Sequence, residues 1–66
     1  MEKKVETPYA AALRRVAGQE VRIARQKALI KHLRENGSST GSAERLLIVM
    51  ENALIALRTS LSAYPN

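Results

Sequence analysis

Between Ala43 and Tyr64 the apolar residues Ala43, Leu47, Met50, Leu54, Leu57, Leu61 and Tyr64 recur at an unbroken spacing of four and three. That spacing sets one continuous stripe along an α-helix and is incompatible with the two-residue alternation of a half-buried strand. Leu46, Ile48, Val49 and Ile55 widen the stripe beyond the narrow seam that a single neighbouring helix covers. A helix of this kind needs partners. With 66 residues and no cysteine, the chain has neither the length for a large core nor a disulfide or thiolate metal site to staple a small one. Assembly is the remaining remedy.

One of those partners lies earlier in the same chain. Tyr9, Val16, Ile23 and Ile30 recur every seven residues, joined by Ala12, Leu13, Leu29 and Leu33. Thr7 before Pro8 is a helix start, because the hydroxyl caps a free amide and proline at the first helical position gives up an N–H that has no partner. Gly37 supplies the left-handed conformation that ends many helices, after the cations Lys31, His32 and Arg34. Ser38 to Ser42 are turn and capping residues, with Ser39 the expected N-cap of the second helix and Thr40 the alternative. The chain therefore reads as all-α and as a single domain over 1–66, with helix one at about 8–36 and helix two at about 40–63. Two long helices joined by so few residues lie antiparallel, as a hairpin, and the leftover apolar surface predicts dimerisation into a four-helix bundle. Pro65 and Asn66 are expected to form a frayed end.

The expected hairpin core is Val16, Ile23, Ile30, Leu33, Leu47, Met50, Leu54, Leu57 and Leu61, and the expected dimer interface is Leu46, Ile48, Val49 and Ile55. Gln19 and Gln26 occupy seam positions and require hydrogen-bond partners there, a device that often fixes register. Ala17, Ala24 and Ala28 permit close helix approach on a second side. Tyr9 and Tyr64 are expected to close opposite ends of the two helices at the same end of the hairpin, rather than to serve a site.

The formal net charge of +5 resides in helix one, where Arg14, Arg15, Arg22, Arg25, Lys27, Lys31 and Arg34 stand against Glu20 and Glu35. At 100° per residue Arg14, Arg15, Arg22 and Arg25 share a sector of about 100°. Clustered cations gain from counterion release on a polyanion, so these four form a candidate nucleic-acid-binding ridge. Charged residues also belong on the outside of any helix. No tryptophan or phenylalanine is present for base stacking, and no zinc or groove-reading motif accompanies the arginines.

Other chemistry finds little support. The lone histidine, His32, rules out a histidine metal cluster within one chain. It is followed by Leu33 and Arg34 where a phospho-accepting histidine of a kinase bundle has an acid. The glutamates Glu20, Glu35, Glu44 and Glu51 lack the Glu-x-x-His pairing of helical carboxylate metal sites. Glu20 borders the apolar stripe and is a candidate for pairing with an arginine, or for a rim position in water. Ser39, Thr40 and Ser42 have no base to activate them. No catalytic, metal or cofactor-binding residues are expected, and the chain reads as non-enzymatic. Met1 to Thr7 alternates charges without an apolar run and is not a secretory signal, and the longest apolar run, Leu46 to Met50, is far short of the roughly 20 residues of a bilayer span. A cytoplasmic protein is expected, most naturally a bacterial one.

Val16-Ala17-Gly18-Gln19-Glu20, Ile23-Ala24-Arg25-Gln26, Leu29-Ile30, Leu33, Gly37, Ala43-Glu44-Arg45-Leu46-Leu47, Met50-Glu51 and Leu54 together resemble a loose group of short uncharacterised bacterial helical-hairpin proteins, many of them alphaproteobacterial. The resemblance covers about two thirds of the chain and implies a helical hairpin without an assigned activity. Where that group commonly carries acids before the second helix, Ser39 and Ser42 stand here. In architecture the chain is also similar to plasmid repressor-of-primer proteins, whose paired hairpins bind RNA. The expected partners are a second copy of the chain, another protein or, through the arginine ridge, nucleic acid, and not a membrane.

Overall fold

The computed structural model describes residues 6–64, and within them two helices pack side by side with no strand. The first, α1, spans Pro8–Glu35, and the second, α2, spans Gly41–Leu61. Pro65 and Asn66, the expected frayed end, and the first five residues of the N-terminal segment lie outside the described residues.

Each boundary has a local chemical cause. Thr7 holds an extended backbone and its hydroxyl accepts the Ala10 amide at 3.1 Å, with Pro8 opening the helix. At the other end Gly37 adopts φ +70°. There the Ser38 amide donates to the Leu33 carbonyl at 2.9 Å and the Gly37 amide to the Arg34 carbonyl at 3.1 Å, the paired bonds of a Schellman close. The Asn36 side-chain amide adds a bond of 2.9 Å to the His32 carbonyl. For α2 the N-cap position is Thr40 rather than Ser39, and its side chain makes no capping bond. Its φ of −110° and ψ of −1° lie in the helical region instead of the extended conformation from which a hydroxyl reaches back to the first amides. Helix two stops at Leu61, two residues short of expectation, because the last amides bond in tighter three-residue turns. These run from Ser62 to Thr59, Ala63 to Ser60 and Tyr64 to Leu61, each at 3.2 Å.

The two helices are held in register by polar contacts in the middle and near the turn, and by an aromatic contact at the open end. Gln19 Nε2 donates to the Met50 carbonyl and Gln26 Nε2 to the Ala43 carbonyl, each at 2.9 Å, so the two seam glutamines are satisfied by the main chain of α2. Tyr9 and Tyr64 meet edge to face at the open end, with ring centroids 6.1 Å apart and planes at 66°. That offset sets the positive edge of one ring toward the negative face of the other. Among the described residues no buried side-chain polar atom lacks a partner.

The core is thin and one-sided. Ala12, Val16, Ile23 and Ile30, at 5–9% exposure, are its buried residues, and all belong to α1. The α2 stripe of Leu47, Met50, Leu54, Leu57 and Leu61, like Leu33 of α1, is only half-buried. Leu13 and Leu29, expected to join the α1 stripe, are exposed at 42% and 45%. At 100° per residue each stands about 100° from the centre of the buried set, beyond the reach of one partner helix. The Cα radius of gyration is 16.0 Å, against about 11 Å for a compact globule of this length. The thinnest of its principal extents, 51 × 30 × 13 Å, is the last. That is close to the diameter of one helix with its side chains, so the hairpin is a single layer.

Candidate interaction surface

The groove between the helices has two flanks of different character. On one, acids and bases alternate across it. Arg34 and Glu44 pair at 2.8 Å and Arg58 and Glu20 at 2.6 Å, all four side chains roughly half-exposed. Arg34 closes the last turn of α1 and Glu44 opens the first turn of α2, so each also complements its own helix dipole. Glu20, Lys27, Glu51, Ile55 and Arg58 rim a shallow depression of about 400 Å³ on this flank, floored by Ile23 and Leu54. A second depression, of about 290 Å³, continues toward the turn between Lys27, Lys31, Arg34 and Glu44. Charges close this side of the seam.

The other flank has no cross-helix ion pair among the described residues. Toward the open end of the hairpin, Arg15, Gly18, Gln19 and Arg22 of α1 and Leu57 of α2 rim a depression of about 280 Å³. Toward the turn the same face of α1 continues with Leu29, seven residues after Arg22, and then Leu33. On α2 it carries Leu46, Val49, Ala53 and Ala56 in a three-four-three spacing of their own. Apolar residues dominate this side.

The four residues expected to form one dimer interface are all exposed, between 49% and 62%, and they divide between these flanks. Leu46 and Val49 lie on the flank without ion pairs. Ile55 lies on the ion-paired one, and Ile48, one heptad earlier, shares its face. A single partner helix cannot cover both pairs, because about 130° of α2 circumference separates them on the side away from α1. Ala17, Ala24 and Ala28 fall with Leu13 and Val21 on the outer side of α1, and all are exposed.

The arginine ridge is likewise subdivided. Arg14 is paired with Glu6 at 2.8 Å. Arg15, Arg22 and Arg25 have no carboxylate within ion-pair distance among the described residues, and all are exposed. His32 is exposed in the last turn of α1, where the Asn36 side-chain amide lies 3.2 Å from its Nε2. Among the described residues no group of three histidine, cysteine or acidic side chains is disposed to hold a metal ion, and no helix is long and apolar enough to cross a membrane. Searches against family models, curated proteins and solved structures gave no match for this chain.

Proposed function

We propose that the chain is a non-enzymatic interaction or regulatory module of the bacterial cytoplasm that works as a homodimer, two hairpins forming a four-helix bundle. The observation that carries this reading is the one-sided core: every buried residue among those described belongs to α1, and the α2 stripe stays half-open. The hairpin exposes 5469 Å², against about 4,200 Å² for a compact chain of this mass. The excess of about 1,300 Å² exceeds the roughly 800 Å² that each partner buries in a standard interface. A second hairpin laid on the first supplies that burial without added sequence, and the absence of cysteine from the chain leaves association as its means of stabilisation. Sedimentation equilibrium at micromolar concentration tests the reading. A mass of twice the chain is expected, and a folded monomer at every concentration would remove it.

A second reading is supported by the three arginines without carboxylate partners. Arg15, Arg22 and Arg25 present charge along one side of α1 in a chain of net charge +5, which suits the phosphates of a nucleic acid. Duplex DNA or structured RNA should be shifted at low salt and released steeply as salt rises, and alanine at the three positions should weaken the shift. No shift at low salt would dismiss it.

A further inference from the structure

We infer that the second copy of the chain docks on the flank without ion pairs, along Leu29, Leu33, Leu46, Val49, Ala53 and Ala56, and leaves the Ile48 and Ile55 flank to solvent. The inference rests on the homodimer reading above and assigns its contact face.

Three observations separate the flanks. The first is local continuity on α2. Leu46, Val49, Ala53 and Ala56 follow one another at helical neighbour spacing, so each has an apolar residue beside it on the surface. Val49 and Ala56 also adjoin Arg45, Asn52, Thr59 and Ser60, but Ile48 and Ile55 have only polar neighbours in the adjoining turns: Glu44, Arg45, Glu51, Asn52, Arg58 and Thr59. They are isolated apolar residues in a polar field, which soluble proteins tolerate singly. The second is the closure of the seam. On the Ile55 side it is bridged by Arg58–Glu20 and Arg34–Glu44, and a helix seated there would have to desolvate or break those pairs. The other side carries no ion pair, only the Gln19 bond to the Met50 carbonyl, so Leu57 and the half-buried Leu33 can be covered without disturbing any ion pair among the described residues. The third concerns the occupant. The three-four-three stripe has the spacing of a coiled-coil seam over two heptads, is self-complementary when a copy meets it across a two-fold axis, and its four residues carry no charge to oppose their own image. The arginines Arg15 and Arg22 stand at its edge and remain at the rim of the pair.

The absence of native cysteine makes a covalent test clean, since one introduced thiol can couple only to its copy. Val49 and Ala53 lie mid-stripe, close to where a two-fold axis must pass. Val49→Cys or Ala53→Cys should oxidise to a disulfide dimer in high yield, and Ile48→Cys or Ile55→Cys should not. In sedimentation, Val49→Glu should weaken the dimer at least tenfold while the double variant Ile48→Glu with Ile55→Glu changes it less than threefold. All these positions are exposed in the hairpin, and circular dichroism is the check that each variant stays helical. A wild-type dimer that survives Val49→Glu, or that the Ile48 and Ile55 pair disrupts as strongly, overturns the assignment while leaving the homodimer reading intact. A monomeric wild type overturns both.

Discussion

Gly18 sits in the interior of α1, ten residues from its start, on an exposed face where a Cβ would meet nothing within 4 Å. A glycine at such a position costs a helix about 0.5–1 kcal/mol relative to alanine, because it surrenders more backbone entropy on folding and offers no compensating contact. Gly18→Ala should therefore stabilise the hairpin by that amount. The substitution acts on the unfolded chain and on the backbone, so the gain needs no new packing. In a domain of this size about 1 kcal/mol moves the midpoint of thermal unfolding by about 4–8 °C. Melting followed by circular dichroism at 222 nm measures it directly. The scan should be repeated over a hundredfold range of protein concentration, since association makes the midpoint concentration-dependent. A lowered midpoint in dilute protein would refute the reasoning, because it would mean that the space above Gly18, between Arg15 and Arg22, is filled.

The chain's other informative glycine should respond with the opposite sign. Gly37 holds φ +70°, where a side chain crowds the backbone. Gly37→Ala should cost about 1–2 kcal/mol, and Gly37→Asn less, by chemical denaturation of both variants. Ile23 is one of the four buried residues among those described, at 7% exposure. Its truncation in Ile23→Ala should cost about 2–5 kcal/mol and leave the chain largely non-helical at about 25 °C, as circular dichroism would show. Arg58→Ala should cost less than about 1 kcal/mol, because its ion pair with Glu20 is about half-exposed, and the difference from wild type should vanish in about 1 M salt.

Much of the hairpin is legible from residue type and spacing alone. Thr7–Pro8 and Gly37 mark the ends of α1 because each satisfies a requirement confined to a few consecutive residues. The seven-residue recurrence of Val16, Ile23 and Ile30 identifies the buried side, and the position of Gln19 and Gln26 on it foretells that they need acceptors. What spacing cannot convey is which residues of the second helix stand opposite. Glu20 finds Arg58, 38 positions away, only once the register is fixed. Of the two cap residues expected for helix two, the alternative, Thr40, holds the position and Ser39 does not, because the two are chemically near-equivalent and the choice between them follows from where the turn delivers the chain. The division of Leu46 and Val49 from Ile48 and Ile55 is implicit in helical angles. Grouping them by hydrophobicity alone obscures it, and the ion pairs that flank one pair and not the other make the difference plain.

The two glutamine bonds have a consequence for how freely α2 can vary. Their acceptors, the carbonyls of Ala43 and Met50, are seven residues apart, as are the donors Gln19 and Gln26. A slide of one or two residues carries both carbonyls off the seam together, so both bonds are lost at once. A slide of seven is denied by the short link between Glu35 and Gly41. Since the acceptors belong to the main chain, the two bonds do not depend on the side chains at 43 and 50 beyond their fit in the half-buried seam. The glutamine part of the alignment is thus written in α1 alone, while α2 contributes Glu44, Arg58 and its half-buried stripe and is free to diverge only on the face turned away from α1.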